Sequence, residues 1–134
     1  MSDITTQMQI PEARLERIER VGDDITLHFS KVFLVQEMEG AFEDSLWTQD
    51  VNITISNCET DGELPACPCE LSGGDFIDNV YTYRNHVTLP ISWRGDVGCK
   101  LLTAGSPAGC TIHGDGIRSE QIGNPVYLRH ISKN

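Results

Sequence analysis

The residues best equipped for chemistry are the cysteines. Two of them, Cys67 and Cys69, flank a proline in ELPACPCELSGGD, residues 63–75. In an extended chain both thiols face one side, with their backbones about 6.5 Å apart. That separation lies at the outer limit of disulfide geometry, so a bond between them is strained and easily reduced. Pro68 offers no amide donor, which puts the segment on a sheet edge or in a loop, within reach of solvent. A nucleophilic thiol needs a cation or a helix N-terminus beside it. Here the sequence neighbours are Glu59, Asp61, Glu63 and Glu70, and negative charge raises a thiol pKa. The same acids draw a divalent cation, which can itself drive thiol deprotonation. A thiolate metal site on Cys58, Cys67 and Cys69 is therefore one functional expectation, with a fourth ligand from Cys99, Cys110, a His or a carboxylate. The spacing argues the other way: C-x8-C-x-C replaces the C-x2-C to C-x4-C pairs of recognised zinc modules. Apart from such a divalent metal, no cofactor is expected. Cys99 and Cys110 read as small buried apolar side chains.

The four histidines, His28, His86, His113 and His130, form neither an HxH nor an HExxH arrangement. Each reads as a partly exposed strand residue. Cys110 and His113 make a C-x-x-H pair, but on a strand they point to opposite faces and do not chelate together. Gly105-Ser106-Pro107-Ala108-Gly109 lacks the G-x-S-x-G order of a nucleophile elbow, and the chain contains no dinucleotide, Walker or EF-hand motif. An enzyme built on a His and an acid that meet only in three dimensions is the second alternative; the balance of motifs leans against it.

Charge gives the clearest signal. Net charge is -10, yet no Lys, Arg or His occurs from Val32 to Tyr83, a stretch that holds Glu37, Glu39, Glu43, Asp44, Asp50, Glu59, Asp61, Glu63, Glu70, Asp75 and Asp78. Gathered on one surface, these acids repel phosphate and attract cations or basic partners. Nucleic acid is excluded as a partner, because affinity there depends on Lys and Arg. The expected binding surface is Glu37, Glu39, Glu43, Asp44, Glu59, Asp61 and Glu63, facing a basic protein partner.

The elements that must position these groups are strands. Ile25, Leu27 and Phe29 alternate with polar residues, as do Trp47, Val51, Ile53 and Ile55, and Val87, Leu89, Ile91 and Trp93. Gly22-Asp23-Asp24, Asp61-Gly62, Ser72-Gly73-Gly74-Asp75, Arg94-Gly95-Asp96, His113-Gly114-Asp115-Gly116, the Gly105–Gly109 run and Gly123-Asn124-Pro125 read as turns. PEARLERIERVG places Leu15, Ile18 and Val21 three apart, as a short helix would, but it leads directly into a turn and a strong strand and is read as the first arm of a hairpin. Asn52-Ile53-Thr54 reads as ordinary strand rather than a glycosylation acceptor.

The expected fold is all-β, a single domain over residues 1–134 forming an antiparallel barrel or sandwich with at most one short helix, and residues 1–10 flexible. The expected core is Ile25, Leu27, Phe29, Val51, Ile53, Ile55, Val87, Leu89, Ile91 and Leu128. No stretch reaches the roughly 18 apolar residues of a spanning helix, and the first ten residues lack the features of an export signal. The expectation is a cytoplasmic chain with no membrane contact, its five cysteines kept as thiols.

RIERVGDDITLHFS, VTLPISWRGDVGCKLL and TIHGDGIRSEQIGNPVYLRHI resemble pieces of small bacterial all-β proteins of unknown function. The resemblance covers the N-terminal quarter and the C-terminal half, implies a β fold, and supplies no site residue. The functional expectation is a non-enzymatic interaction domain using its acidic surface. Sheet edges in such a domain also invite pairing between copies, so a homodimer is expected as a further possibility.

Overall fold

The computed structural model describes residues 4–104 and 109–132. Within them the period-two pattern becomes β1 (Ile4–Gln9), β2 (Arg14–Val21), β3 (Asp24–Met38), β4 (Glu43–Ser56), β5 (Glu59–Asp61), β6 (Cys69–Asp78), β7 (Tyr81–Arg84), β8 (His86–Leu89), β9 (Ser92–Thr103) and β10 (Cys110–Ser132). All belong to one antiparallel sheet, and no helix occurs among the described residues. Among the described residues, therefore, no helix is long and apolar enough to cross a membrane.

The PEARLERIERVG segment is a strand, β2, which pairs with β3 through a turn in which Gly22 adopts φ 60°. Its three-residue apolar spacing has a local cause. Leu15 faces Phe29 while Arg17 already faces His28, so Glu16 is an extra residue in the ladder. One inserted residue restores the same facing to Leu15 and Ile18, which respectively fill and flank the core.

Two regions result. In the body, β2 pairs both β3 and β6, so hydrogen bonding runs in a closed circuit through β2, β6, β9, β10, β4 and β3. Ile25, Leu27, Phe29, Val51, Ile53, Ile55, Leu71, Phe76, Val97 and Cys99 fill its interior. In the arm, β3 and β4 continue as a hairpin within a run of strands of order β10-β4-β3-β1-β8. Its apolar face buries Met8, Leu34, Val87 and Leu89.

The two regions meet at Gln49 and Asp50 of β4, where both neighbouring strands bulge. In β3 the shift falls between Phe29 and Val32, and in β10 between Ile122 and Val126. Asp50 Oδ1 accepts the amide of Lys31, which sits at φ 49° in the first bulge. Gln49 Nε2 donates to the Gly123 carbonyl in the second, at 2.7 Å, and Gln49 Oε1 accepts from Gln121 Nε2 at 2.8 Å. Gln49 is buried, and these bonds satisfy it.

Three expectations are corrected. Residues 4–10 are strand and its continuation rather than a flexible leader: β1 pairs β3 and β8, and Met8 and Ile10 are fully buried. Leu128 is exposed, because it stands beside the Tyr127/Arg129 register shift on the uncovered end of β10. Four glycine-rich signals do not reverse the chain. Gly73-Gly74 lies inside β6, Gly95 inside β9, and both Gly114-Asp115-Gly116 and Gly123-Asn124-Pro125 inside β10. At Gly74 the reason is close approach, since a Cβ there would lie 2.6 Å from the Lys100 carbonyl oxygen. At Gly114–Gly116 and Gly123–Pro125 the ladder shifts register, so the glycines bend a long strand. Of the Gly105–Gly109 run, residues 105–108 lie outside the described residues.

Candidate functional site

Cys58, Cys67 and Cys69 do not form one site. Cys58 lies between β4 and β5 with its thiol donating to the Ile55 carbonyl at 2.8 Å, and it shares the buried core with Cys99 and Cys110. Cys67 and Cys69 pair instead with each other, at the seam where Cys69 faces Leu15 of β2. Among the described residues, no three of His, Cys, Asp or Glu gather as metal ligands. All five cysteines are free thiols.

Burial sets the reactivity of these thiols. It pushes the Cys67 thiol up to about 11, with the neighbouring Cys69 and then Glu16 adding to the effect. Cys58, Cys69, Cys99 and Cys110 are likewise raised, in each case mainly by desolvation. The sequence neighbours Glu59, Asp61, Glu63 and Glu70, expected to raise the thiols, are not among the causes at Cys67, while Asp61 adds to the rise at Cys110. Cys67 and Cys69 are half-buried against the core rather than freely reachable, so the exposed pair expected from Pro68 is corrected. Cys69 and Cys110 border a cleft of about 680 Å³, whose other walls include Glu63, Leu64, Glu70 and Leu101. Among the described residues at this cleft, burial holds the Cys69 and Cys110 thiols away from the thiolate form that a nucleophile needs.

The closest approach to a His/acid site lies on the outer face of the body. His28 Nε2 stands 3.0 Å from Glu19 Oε1 and Nδ1 3.0 Å from Asn52 Oδ1. Ser30 sits two residues along the same face, but its hydroxyl donates to Glu16 at 2.8 Å, not to His28. With no contact between nucleophile and base, the group acts as a polar clasp tying β2, β3 and β4. Glu16 is held below the usual carboxylate range by hydrogen bonds first from Arg14 and then from Ser30.

The acidic residues separate into two groups. Glu37, Glu39, Glu43 and Asp44 surround the tip of the β3–β4 hairpin, whereas Glu59 and Asp61 in β5 and Glu63 beyond it lie past the other end of β4. At about 3.3 Å per residue, β4 holds the groups roughly 40 Å apart, so the single surface expected from sequence does not form. The contacts between oppositely charged groups among the described residues are Arg14–Glu16, Arg17–Glu19, His28–Glu19 and Arg84–Asp75. Glu37, Glu39 and Glu43 take part in none of them.

Sequence reasoning missed Phe42, which stands 96% exposed at the hairpin tip between Gly40-Ala41 and Glu43. An aromatic residue within a turn of GAFED was the available signal. It also missed the aromatic pair on the arm, where Trp47 and Tyr127 meet edge to face at 5.3 Å and Trp47 Nε1 donates to Ser45 Oγ. Comparison with protein-family models, with characterised proteins and with solved structures finds no match to this chain.

Proposed function

We propose that the chain is a non-enzymatic interaction domain working in the cytoplasm, whose β3–β4 hairpin tip engages a basic protein partner. The observation that carries this reading is Phe42, almost wholly exposed, rimmed by Glu37, Glu39 and Glu43 that have no cationic partner among the described residues. A solvent-exposed aromatic side chain serves as an anchor when it enters a partner's pocket, and the surrounding carboxylates steer a basic surface to it. The second acidic group, Glu59, Asp61 and Glu63, lies too far away to share that contact. A polyanion is disfavoured at this tip by simple repulsion.

The test is recovery of partner from cell extract by immobilised protein, comparing the native chain with Phe42→Ala and with Glu37→Lys/Glu39→Lys/Glu43→Lys. The reading predicts a basic protein that is retained at low salt, is released as screening rises, and is lost with either variant. Recovery unchanged by both variants, each shown folded by circular dichroism, rejects the hairpin tip as the contact.

A further inference from the structure

We propose that the open cleft where β4, β9 and β10 run together binds an acidic sugar, with the carboxylate held by Arg94 and Arg118 and the sugar ring laid on the indole of Trp93. The cleft measures about 440 Å³, within the size range of small-molecule sites, and all three side chains line it. Ser56, the last residue of β4, forms part of its wall, so the cleft lies at the opposite end of that strand from the hairpin tip.

The arginines call for an anion. Arg14, Arg17 and Arg84 each reach a carboxylate, whereas Arg94 and Arg118 make no ion pair among the described residues. In the ladder Arg118 stands between Ser92 of β9 and Thr54 of β4, both uncharged. The single carboxylate among the described residues of the wall, Asp115, accepts from Asn57 Nδ2 at 2.7 Å and lies beyond ion-pair distance of either guanidinium. From Ser92 to Arg118 the chain holds three bases, Arg94, Lys100 and Arg118, against two acids, Asp96 and Asp115, so the acidic character of residues 32–83 does not extend here. Two guanidiniums fronting one cleft suit a planar carboxylate, which accepts paired N–H donors.

The remaining walls select a sugar as the bearer of that carboxylate. Trp93 stacks on Tyr83 with ring centroids 5.3 Å apart and planes 11° from parallel, and Tyr81, 60% exposed, follows at 4.6 Å. The row carries an aromatic surface from the cleft out to solvent. Ring faces are electron-rich and attract the C–H groups of a sugar. The hydroxyls of Ser56 and Ser92 offer donors and acceptors to a polyol, and Asp115 accepts from sugar hydroxyls while repelling a phosphate dianion. The main chain also leaves room. Gly116 borders a register shift, yet its φ lies outside the left-handed region and a Cβ there would meet nothing nearer than Ser56 Oγ and the Trp93 carbonyl oxygen, both at 3.8 Å. At Gly114, by contrast, a Cβ would lie 2.3 Å from the Ser56 carbonyl oxygen. A glycine that neither crowding nor strain requires, inside a strand and on the wall of a cleft, is a signature of close approach by a ligand.

Isothermal titration calorimetry of the full chain with a trisaccharide of galacturonic acid tests the proposal. The native chain should bind one equivalent with a Kd at or below about 1 mM, and the same trisaccharide with its carboxylates reduced to alcohols should bind at least about tenfold more weakly. Arg94→Gln and Arg118→Gln should each weaken binding about tenfold. Gly116→Val places a branched side chain in the cleft without crowding its neighbours, so it should abolish binding and leave thermal unfolding unchanged. That variant separates the site from the fold, as truncation of Trp93, which packs against the core, does not. A native chain that does not bind the trisaccharide, or a Gly116→Val variant that is folded and binds it equally well, overturns the inference. Equal affinity for the reduced trisaccharide, for inorganic phosphate or for a nucleoside monophosphate overturns the assignment of an acidic sugar. Each of these failures leaves the hairpin tip, at the other end of β4, to be judged by its own variants.

Discussion

β4 belongs to both regions of the molecule, and its two halves differ in what lies around them. Val51, Ile53 and Ile55, in the body, are completely buried beneath a sheet that closes on itself. Trp47, on the same face of the same strand in the arm, is only half-buried, and its neighbour across the ladder, Tyr127, is exposed. Both halves have apolar side chains and strand pairing. The difference is that the body covers its own core face and the arm, at the β10 end, does not. Stability is therefore concentrated in the closed circuit, and the protein recognition we propose falls on the arm, with its acidic tip.

The sharpest way to break this contrast is to truncate one aromatic in each region. Phe76→Ala, in the body, should cost about 3–5 kcal/mol in urea unfolding, because it removes a fully buried ring. Tyr127→Ala, in the arm, should cost under about 1 kcal/mol in dilute protein, as an exposed site does. Equal losses would show that the arm is as self-sufficient as the body.

An intermediate effect is expected at the junction. Gln49→Ala removes the side chain that bonds the Gly123 carbonyl and Gln121, and it should destabilise by about 1–3 kcal/mol through unsatisfied polar groups. The amides around Gly123 should also lose protection against hydrogen exchange, while Val51 to Ile55 keep theirs.

The smallest effect is the pH dependence of the seam. The Cys67 thiol has an ordinary value of 9.0 that burial raises to about 11 in the folded chain. Its contribution to stability is present below pH 9, where both states are protonated, and is lost as pH rises from 9.0 towards 11. Alkylation of native protein should be slow at neutral pH and should accelerate through that same window. Fast labelling of Cys67 at neutral pH would contradict the burial argument.

The strands were legible because half-buried sheets impose period two, and Ile25 to Phe29, Val51 to Ile55 and Val87 to Ile91 display it plainly. Bulges were not legible, since a residue inserted into a ladder shifts facing without changing composition. That is why Leu15 and Ile18 resemble a helix face, why Gly114–Gly116 and Gly123–Pro125 resemble turns, and why Leu128 resembles a core residue. The acidic run was visible as composition. Its division into two groups depends on the length of β4, which becomes apparent only when Glu43 is placed at the start of that strand and Glu59 beyond its end. The thiols were misgrouped for a related reason, because Cys58 and Cys99 meet only after β4 and β9 pack around a common core.

Hydrogen–deuterium exchange tests most directly whether the arm is less complete than the body. Protection at Val126 to Arg129 should be low, while Val51 to Ile55 remain strongly protected. Val126 to Arg129 as protected as Val51 to Ile55 would contradict the account.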